Sequence, residues 1–226
     1  MTARFPALLY AAGIGTRMRP LTVDKPKPLI TVGGKMLLDH AMGALHSEHV
    51  SHVVMNTHYL SDQLHALEYD RRVTFSNEVT LKETGGGLKQ AHALLTSDPV
   101  ITLNSDAVWA GPNPVDHLVP LWSEEMDGLL LLVPADRAAG HKGSGDFDID
   151  GSGRLRRGTS TIYTGLQIIR TELFAAHPKD VFSTNEIWEM MLEKGTLYGA
   201  VYSGQWCDVG WPGAIEIAED LLEQTI

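Results

Sequence analysis

The chain has 226 residues, of which 43% are hydrophobic and 20% are charged, a balance that suits one large globular domain and excludes a disordered chain. The net charge of −10 argues against nucleic acid or an anionic membrane surface as the main partner. The single cysteine, Cys207, excludes an internal disulfide and a cysteine-based zinc site.

The N-terminal apolar run, residues 7–12, follows a single cation, Arg4. It is far too short for a signal peptide or a membrane span. A lone cysteine also fits a reducing compartment. We therefore expect a cytoplasmic protein that does not associate with membranes.

The first half of the chain alternates short apolar runs with amphipathic stretches, which is typical of βαβ units in a mostly parallel sheet. The predicted strands are residues 7–12, 52–56, 73–76, 100–104 and 128–133, and the predicted helices are residues 36–47, 60–68, 88–96 and 115–122. The third helix would be entered through three consecutive glycines, residues 85–87.

In the second half the rhythm changes, and residues 141–158 are rich in glycine, aspartate and arginine. The segment DFDIDGSGRLRRG predicts a β-hairpin that turns at Asp150-Gly151. The remaining predicted elements are strands at residues 161–169, 196–202 and 206–209, the last two as a closing pair, and helices at residues 185–193 and 212–222. No linker or repeat interrupts residues 1–226, so we expect one domain, with a core at about 1–135 and a smaller substrate lobe at about 136–226.

A glycine-rich and cationic segment, LYAAGIGTRMRPLTVDKPKPL (residues 9–29), follows the first predicted strand. Gly13 and Gly15 let the backbone approach an anion closely, and prolines hold the following segment extended. The cations available to neutralise a phosphate are Arg17, Arg19, Lys25 and Lys27. The pattern favours a phosphate-binding loop over a surface loop with solvated charges.

Two common phosphate motifs do not fit this segment. A dinucleotide fingerprint requires G-x-G-x-x-G followed at once by a helix, and Pro20 blocks that helix. A Walker loop requires G-x-x-x-x-G-K-[ST], whereas Gly33-Gly34-Lys35 is followed by Met36. An NAD-dependent oxidoreductase is therefore excluded on the fingerprint.

The segment GIGTRMRPLTVDKPKPL resembles the G-x-G-T-R-(L/M)-x-P-x-T-x-x-x-P-K-P-(L/M) signature of the sugar-1-phosphate nucleotidyltransferases. The resemblance implies an α/β fold with a Rossmann-like, mixed and mostly parallel sheet flanked by helices, the nucleotide-diphospho-sugar transferase or GT-A-like fold, with a small sugar-binding lobe. It also implies that Arg17 and Lys27 are catalytic, Arg17 on the triphosphate and Lys27 on the α-phosphate and the sugar phosphate. The implied nucleotide contacts of this region are Ala11, Ala12, Gly13, Gly15, Thr16 and, further along, Ser105.

The implied reaction joins a sugar phosphate to the α-phosphate of a nucleoside triphosphate, and both reactants are anions. It therefore needs charge neutralisation, which Mg²⁺ held by one or two carboxylates usually provides. Asp106 follows the predicted strand 100–104, at the strand end where open α/β sheets place ligands. Asp208 lies in WCDVGWP, between a late strand and the last helix. The resemblance implies that both hold Mg²⁺; the alternatives are a turn or cap residue at Asp106 and a helix cap at Asp208.

The segment NEVTLKETGGGL, residues 77–88, is the third candidate element. Its three glycines permit close approach of the backbone to a planar base and a helix N-terminus that faces the ligand; the alternative is a flexible helix entry. The segment is similar to the base-reading loop of N-acetylmuramate-1-phosphate uridylyltransferases. The nucleotide contacts implied are Glu78, Glu83, Thr84, Gly85 and Gly86.

Sugar hydroxyl groups need hydrogen-bonding side chains, which the second half supplies. The candidate sugar-binding residues are Asp146, Thr164, Gly165, Asn185 and Glu186. Asn185 and Glu186 equally fit a capping box that begins at Ser183, and Trp188 falls at the helical spacing of a core residue. We expect each of the ten histidines to be structural or exposed.

Within this class, the loop and the chain length favour UTP and N-acetylmuramate-1-phosphate as substrates. The alternative is a guanylyltransferase acting on mannose-1-phosphate or heptose-1-phosphate. The lactyl carboxylate of muramate should attract a cation, and the nearby cations, which the sequence does not distinguish, are Lys142, Arg154, Arg156 and Arg157. A non-catalytic nucleotide-sugar sensor would be expected to lack a phosphate or metal residue, and none is missing. The chain ends soon after its last predicted helix, so we expect a minimal enzyme that is a monomer or a weak homodimer.

Overall fold

The computed structural model describes residues 3–69 and 73–224. The strands are β1 (Phe5–Tyr10), β2 (Thr31–Val32), β3 (Lys35–Met36), β4 (Val50–Thr57), β5 (Val73–Asn77), β6 (Val100–Asn104), β7 (Ala107–Ala110), β8 (Gly128–Pro134), β9 (Ala138–Ala139), β10 (Phe147–Ile149), β11 (Leu155–Arg157), β12 (Thr161–Ile169), β13 (Leu197–Val201) and β14 (Gln205–Asp208). The α-helices are α1 (Leu37–Leu45), α2 (Ser61–His65), α3 (Glu83–Leu95), α4 (Pro114–Leu118), α5 (Glu172–Ala176), α6 (Thr184–Lys194) and α7 (Ala214–Glu223).

Within the described residues, nine strands form the central sheet. Its main path runs β11-β10-β12-β6-β1-β4-β5, and β8 and β13 join it through β12. Strand β1 is parallel to β4 and β6, whereas β12 is antiparallel to β6 and β8. The predicted α/β class, with a mixed and mostly parallel sheet flanked by helices, is confirmed.

The central strand β1 is buried on both faces, as expected of a parallel strand covered by helices on each side. Because side chains alternate along a strand, successive residues enter different cores. Leu9 packs in one cluster with Leu38 of α1 and Leu118 of α4. Leu8 packs in the opposite cluster, which includes Leu88 of α3 and Ile187 of α6.

Several predicted elements need correction. Helix α3 begins at Glu83, so residues 85–87 are part of the helix rather than its entrance. The predicted closing pair at residues 196–202 and 206–209 is wrong, because β13 lies parallel to β8 in the central sheet while β14 pairs with β7 and β9 in a separate small sheet. Both strands bury apolar side chains, Leu197 and Tyr198 in β13 and Trp206 and Cys207 in β14. Their apolar sequences therefore do not show which strand each one pairs with.

The hairpin predicted in the segment at residues 146–158 is present as β10 and β11. The side chain of Asp150 accepts hydrogen bonds from the backbone N–H groups of Ser152 and Arg154, at 2.8 and 3.0 Å, and closes the turn. Across the part of the chain that the structure describes, no helix is both long and apolar enough to cross a membrane.

Candidate active site

A cleft, named the first cleft below, opens where the parallel strands β1, β4 and β6 end at the same edge of the sheet. It is lined by Tyr10, Ala11, Ala12, Gly13, Lys27, Pro28, Asn56, Glu78, Leu81, Glu83, Thr84, Asn104, Ser105 and Asp106. The carboxyl ends of parallel strands are where open α/β sheets bind ligands. Seven of the residues predicted to bind a nucleotide, together with Lys27 and Asp106, line this cleft.

The glycine-rich loop after β1 folds back on itself and so fixes Lys27. Gly15 has a φ of +68°, and a Cβ atom there would lie 3.1 Å from Cβ of Lys27 and from Cγ2 of Thr22. The Thr22 hydroxyl donates to the Gly15 carbonyl oxygen at 2.7 Å. Pro26 then holds the backbone extended before a short 3-10 turn that begins at Lys27. Glycine at position 15 thus permits both the turn and its contact with Lys27.

Lys27 and Asp106 form an ion pair inside the first cleft, with 2.9 Å between Nζ and Oδ2. The Lys27 side chain is 12% exposed and that of Asp106 30% exposed. The pair joins a residue of the opening loop to one at the end of β6, which are 79 positions apart. The cation predicted to contact phosphate and one predicted metal ligand therefore lie side by side.

The two candidate metal ligands are brought together by the small sheet. Ala107 of β7 lies opposite Asp208 of β14, and the Val209 N–H donates to the Asp106 carbonyl oxygen at 2.9 Å. Burial raises the pKa of Asp208, and the neighbouring Asp106 carboxylate raises it further, while Lys27 and His141 oppose the shift. The sequence did not predict this pairing, because β7 was not recognised as a strand.

The donor chemistry of this pair fits a magnesium ion. The Asp106 carboxylate disfavours the charged form of Asp208, and a divalent cation bound beside both would offset that repulsion. Oxygen atoms are the ligands that Mg²⁺ prefers. Among the described residues, no group of three or more histidine, cysteine, aspartate and glutamate side chains is arranged to hold a metal. Mg²⁺ commonly takes only one or two protein carboxylates and completes its shell with phosphate oxygens and water.

His141 is a residue that the sequence interpretation missed. Its Nδ1 lies 3.4 Å from Oδ2 of Asp208, and both side chains are largely buried. We expected every histidine to be structural or exposed; His141 contacts a candidate metal ligand, and whether its role is only structural remains a prediction. No local motif marks it, because the contact depends on how residues 140–142 fold over β14.

Glu78 lies buried in the wall of the first cleft, with only 2% of its surface exposed. The Asn56 side-chain amide donates to Oε1 of Glu78 at 2.7 Å, and the Lys82 N–H donates to Oε2 at 2.9 Å. Asn56 in turn accepts a hydrogen bond from the Ala11 N–H at 2.8 Å. A polar chain thus links the opening loop to Glu78; Asn56, the last residue of a predicted strand, was missed.

The glycines of residues 85–87 are buried in the first turn of α3. A Cβ atom at Gly86 would lie 2.3 Å from the Asp180 carbonyl oxygen, and one at Gly85 would lie 2.5 Å from the Phe182 ring. The Gly86 N–H donates to the Phe182 carbonyl oxygen at 3.1 Å. Gly85 and Gly86 are outside the lining of the first cleft, and their contact with a nucleotide remains a prediction.

A second cleft adjoins the first and shares Tyr10, Thr84 and Asn104 with it. Its other lining residues are Asp146, Tyr163, Gln167, Ser183, Thr184, Asn185 and Trp188. Asp146 and Asn185, two of the predicted sugar-binding residues, are among them. Trp188, which we expected in the core, is buried and also lines this cleft, where its Nε1 donates to the Gln167 side chain at 2.9 Å.

The other predicted sugar-binding residues lie outside this lining. The Thr164 hydroxyl is buried and donates to the Leu131 carbonyl oxygen at 2.7 Å. Gly165 packs against Asn104, and Glu186 pairs with Lys179, with 2.7 Å between their charged groups. Their contact with a sugar remains a prediction.

Three predicted residues of the opening loop also lie outside the lining of the first cleft. Gly15 holds the turn described above, and Thr16 and Arg17 are exposed at its outer side. Ser105, in contrast, lines the cleft and donates its hydroxyl to the Tyr10 carbonyl oxygen at 2.6 Å. The roles of Thr16 and Arg17 toward a nucleotide remain predictions.

Comparison with known proteins agrees with this geometry. The family model of the MobA-like NTP transferase domain matches residues 7–196, well over half of the chain. The N-acetylmuramate alpha-1-phosphate uridylyltransferase of Caulobacter vibrioides is 36% identical over 96% of this chain and 97% of its own length. The mannose-1-phosphate guanyltransferase beta-B of Xenopus laevis is 29% identical over 91% of this chain and 61% of its own length.

Solved structures show the same fold. A crystal structure of UDP-glucose pyrophosphorylase complexed with UDP-glucose superposes with a TM-score of 0.80 over 96% of this chain and 97% of that chain, at 13% identity. At that identity the likeness shows the fold alone, whereas the family match and the relative at 36% identity show the family. The chain therefore belongs to the MobA-like NTP transferase domain family and is a sugar-1-phosphate nucleotidyltransferase, as the resemblance of its opening loop implied.

Proposed function

We propose that this protein transfers a uridylyl group from UTP to N-acetylmuramate α-1-phosphate, which gives the UDP-sugar and pyrophosphate, and that it serves cell-wall recycling in the cytoplasm. The observation that carries the proposal is the 36% identity with the uridylyltransferase of Caulobacter vibrioides over nearly the whole of both chains. Two adjoining clefts support it, because a transfer between two bound reactants requires sites that meet at the reacting groups.

The lining of the two clefts suggests where each reactant binds. We assign the base to the end of the first cleft that holds Asn56 and Glu78, and the triphosphate to Gly13 and Lys27. The sugar is assigned to the second cleft, near Asp146. The phosphates of both reactants would then meet near Asn104, which lines both clefts and precedes Asp106 by two residues.

The reaction requires the sugar phosphate oxygen to attack the α-phosphorus while the bond to the β-phosphate oxygen breaks and pyrophosphate leaves. The attacking phosphate is already an anion, so no general base is required. Lys27 supplies a positive charge that stabilises the negative charge developing on the phosphates in the transition state. Arg17, exposed on the same loop, is assigned to the outer phosphates of the triphosphate.

Asp106 and Asp208 would hold Mg²⁺, which fits their oxygen donors and their mutual repulsion. When bound, the ion would neutralise phosphate charge and help to align the reacting oxygens. His141, 3.4 Å from Asp208, would restrain the orientation of that carboxylate.

A second candidate function, guanylyl transfer to mannose-1-phosphate or heptose-1-phosphate, is favoured by the carboxyl group of Glu78. Guanine presents two adjacent N–H donors on one edge, which a carboxylate can accept together, whereas uracil presents one N–H between two carbonyl groups. The relative from Xenopus laevis, named a mannose-1-phosphate guanyltransferase, matches 91% of this chain. The base is therefore the part of the proposal that most needs a direct test.

The test is a pyrophosphate-release assay with UTP, GTP, CTP and dTTP, each combined with the 1-phosphates of N-acetylmuramate, N-acetylglucosamine, glucose and mannose. We expect the highest kcat/KM for UTP with N-acetylmuramate-1-phosphate, and no release without a sugar phosphate. A higher value for GTP with mannose-1-phosphate would replace the first candidate by the second. Turnover that is undiminished in excess chelator would contradict the metal assignment.

A further inference from the structure

Four cations lie close in sequence to Asp146 and Tyr163, which line the second cleft. The contacts that each cation makes in the structure distinguish them. The Nζ atom of Lys142 lies 3.4 Å from the ring centre of Trp211, and Arg154 donates to the Gly195 carbonyl oxygen at 3.1 Å. Arg156 pairs with Asp148 at 3.0 Å. Arg157 contacts Asn185 and Trp188. Of these four, only Arg157 contacts described residues that line the second cleft.

Arg157 lies at the rim of the second cleft. Its Nη2 donates to Oδ1 of Asn185 at 2.9 Å, and its guanidinium carbon lies 6.0 Å from the ring centre of Trp188. The guanidinium also covers the buried ring of Phe147, at 4.7 Å. Its side chain is 38% exposed, so it is held at the rim and remains accessible to a ligand.

The β10–β11 hairpin fixes this position. Arg157 lies directly opposite Phe147 in the antiparallel pair, and Asp146, the residue before Phe147, lines the cleft. Asp146 accepts a hydrogen bond from the Tyr163 N–H at 2.8 Å and so is anchored to β12. The hairpin therefore places Asp146 in the lining of the cleft and holds Arg157 against two other lining residues, Asn185 and Trp188.

The carboxylate of Glu189 already uses two of the three nitrogen atoms of the Arg157 guanidinium, Nε and Nη2. Glu189 accepts from Nε at 2.8 Å and lies 2.6 Å from Nη2. Among the described residues, these contacts and the one with Asn185 leave Nη1 without a hydrogen-bond partner. Nη1 carries two N–H donors, enough to bind one further carboxylate.

We propose that Arg157 forms an anion subsite at the rim of the second cleft, and that this subsite binds a carboxylate carried by the sugar. The inference rests on the proposed function. N-acetylmuramate differs from N-acetylglucosamine only in its lactyl ether, which ends in a carboxylate. Arginine is well suited to such a group because its planar donors match the geometry of a carboxylate.

Asp146 makes the subsite selective. Its carboxyl group lies in the cleft and would repel a second carboxylate placed beside it, whereas neutral sugar hydroxyls can donate to it. A sugar that carries an anionic arm is therefore best accommodated with its hydroxyls toward Asp146 and its arm toward Arg157.

The experiment compares N-acetylmuramate-1-phosphate with N-acetylglucosamine-1-phosphate, both with UTP, in the wild type and in Arg157→Met. The ratio of the two kcat/KM values, muramate over glucosamine, should fall about tenfold in the variant, the loss expected for a charge-assisted interaction. Arg156→Met is the matched control, since it removes the same charge one residue away, and its ratio should stay within about twofold of the wild type. Glu189→Gln should raise the ratio, because it removes the competing carboxylate.

Calorimetric titration of each sugar phosphate alone gives a second readout that does not need turnover. The wild type should bind the muramate compound more tightly, and Arg157→Met should remove that preference. A ratio and an affinity difference that are the same in the wild type and Arg157→Met would overturn the subsite while leaving the proposed function intact. Absence of pyrophosphate release with every sugar phosphate would overturn the proposed function, and the titration would still test the subsite.

Discussion

Two glycine-rich segments, residues 13–15 in the loop after β1 and residues 85–87 in the first turn of α3, differ in what surrounds them. A Cβ atom at Gly13 would meet nothing within 4 Å, and Gly13 lines the cleft. A Cβ atom at Gly86 would lie 2.3 Å from the Asp180 carbonyl oxygen. The first glycine leaves space beside the cleft, whereas the second lets two parts of the protein pack together.

The packed glycines nevertheless contribute to the site indirectly. The Gly86 N–H donates to the Phe182 carbonyl oxygen, and the Thr184 N–H donates to the Thr84 hydroxyl at 3.0 Å. These bonds hold the start of α6, with Asn185, against the start of α3. Close packing at residues 85–87 thus positions one wall of the second cleft, while the loop at residues 13–15 borders the first cleft and fixes Lys27.

The largest effect is expected at the cation that the opening loop positions. Lys27→Met should lower kcat by about 10²- to 10³-fold, roughly 3–4 kcal/mol of activation free energy, because it removes a preorganised charge from the proposed phosphoryl-transfer site. The free energy of unfolding should change by only about 1 kcal/mol, since the pair with Asp106 is partly exposed. Steady-state kinetics and urea unfolding of the same preparation measure the two effects.

Lys25→Met is the control for this variant. Lys25 is an exposed cation two residues away, and its removal should change kcat by less than about twofold. Equal losses of kcat in the two variants would show that the overall charge of the loop matters rather than the position of Lys27. The claim that the loop at residues 13–15 contributes to catalysis by positioning Lys27 would then be wrong.

The next effect concerns stability. Gly86→Ala should lower the free energy of unfolding by about 3 kcal/mol, because the added methyl group collides with the backbone at Asp180 and the core must shift. Gly43→Ala is the matched control within a helix: Gly43 lies in α1, where a Cβ atom meets nothing within 4 Å. Urea unfolding should show that this control gains about 0.5–1 kcal/mol. A Gly86→Ala protein as stable as the wild type would mean that residues 85–87 are not packed as described.

The opening loop and the strand ends could be predicted from sequence because their signals are local. The glycines, prolines and cations of residues 13–28 predict a phosphate-binding loop within one short segment, and Gly13, Lys27 and Pro28 do line the first cleft. Asp106 follows an apolar strand directly, so its place at the sheet edge follows from the chain itself. The same locality predicted the hairpin that turns at Asp150-Gly151.

The rest of the site depends on contacts between distant residues. Asp106 and Asp208 meet only because β7 pairs with β14, and nothing in the two short segments specifies that pairing. His141 contacts Asp208 from the loop at residues 140–142, and Asn56 in β4 contacts Glu78 directly after the neighbouring strand β5. The sequence also does not show that Phe182 and Asp180 pack against Gly85 and Gly86.

The smallest effect tests the glycine that faces open space. Gly13→Ala should leave the free energy of unfolding within about 0.5 kcal/mol of the wild type, because its Cβ atom meets no protein atom within 4 Å. If a triphosphate lies against this backbone, the methyl group will occupy part of its space and raise the KM for UTP about fivefold, roughly 1 kcal/mol. Gly151→Ala, in an exposed turn where a Cβ atom is equally unhindered, should change neither quantity, as thermal unfolding and initial-rate kinetics can show. A KM for UTP that is unchanged in both variants would place the triphosphate away from Gly13. The two glycine segments would then differ only in how tightly the protein packs around them, and not in contact with a ligand.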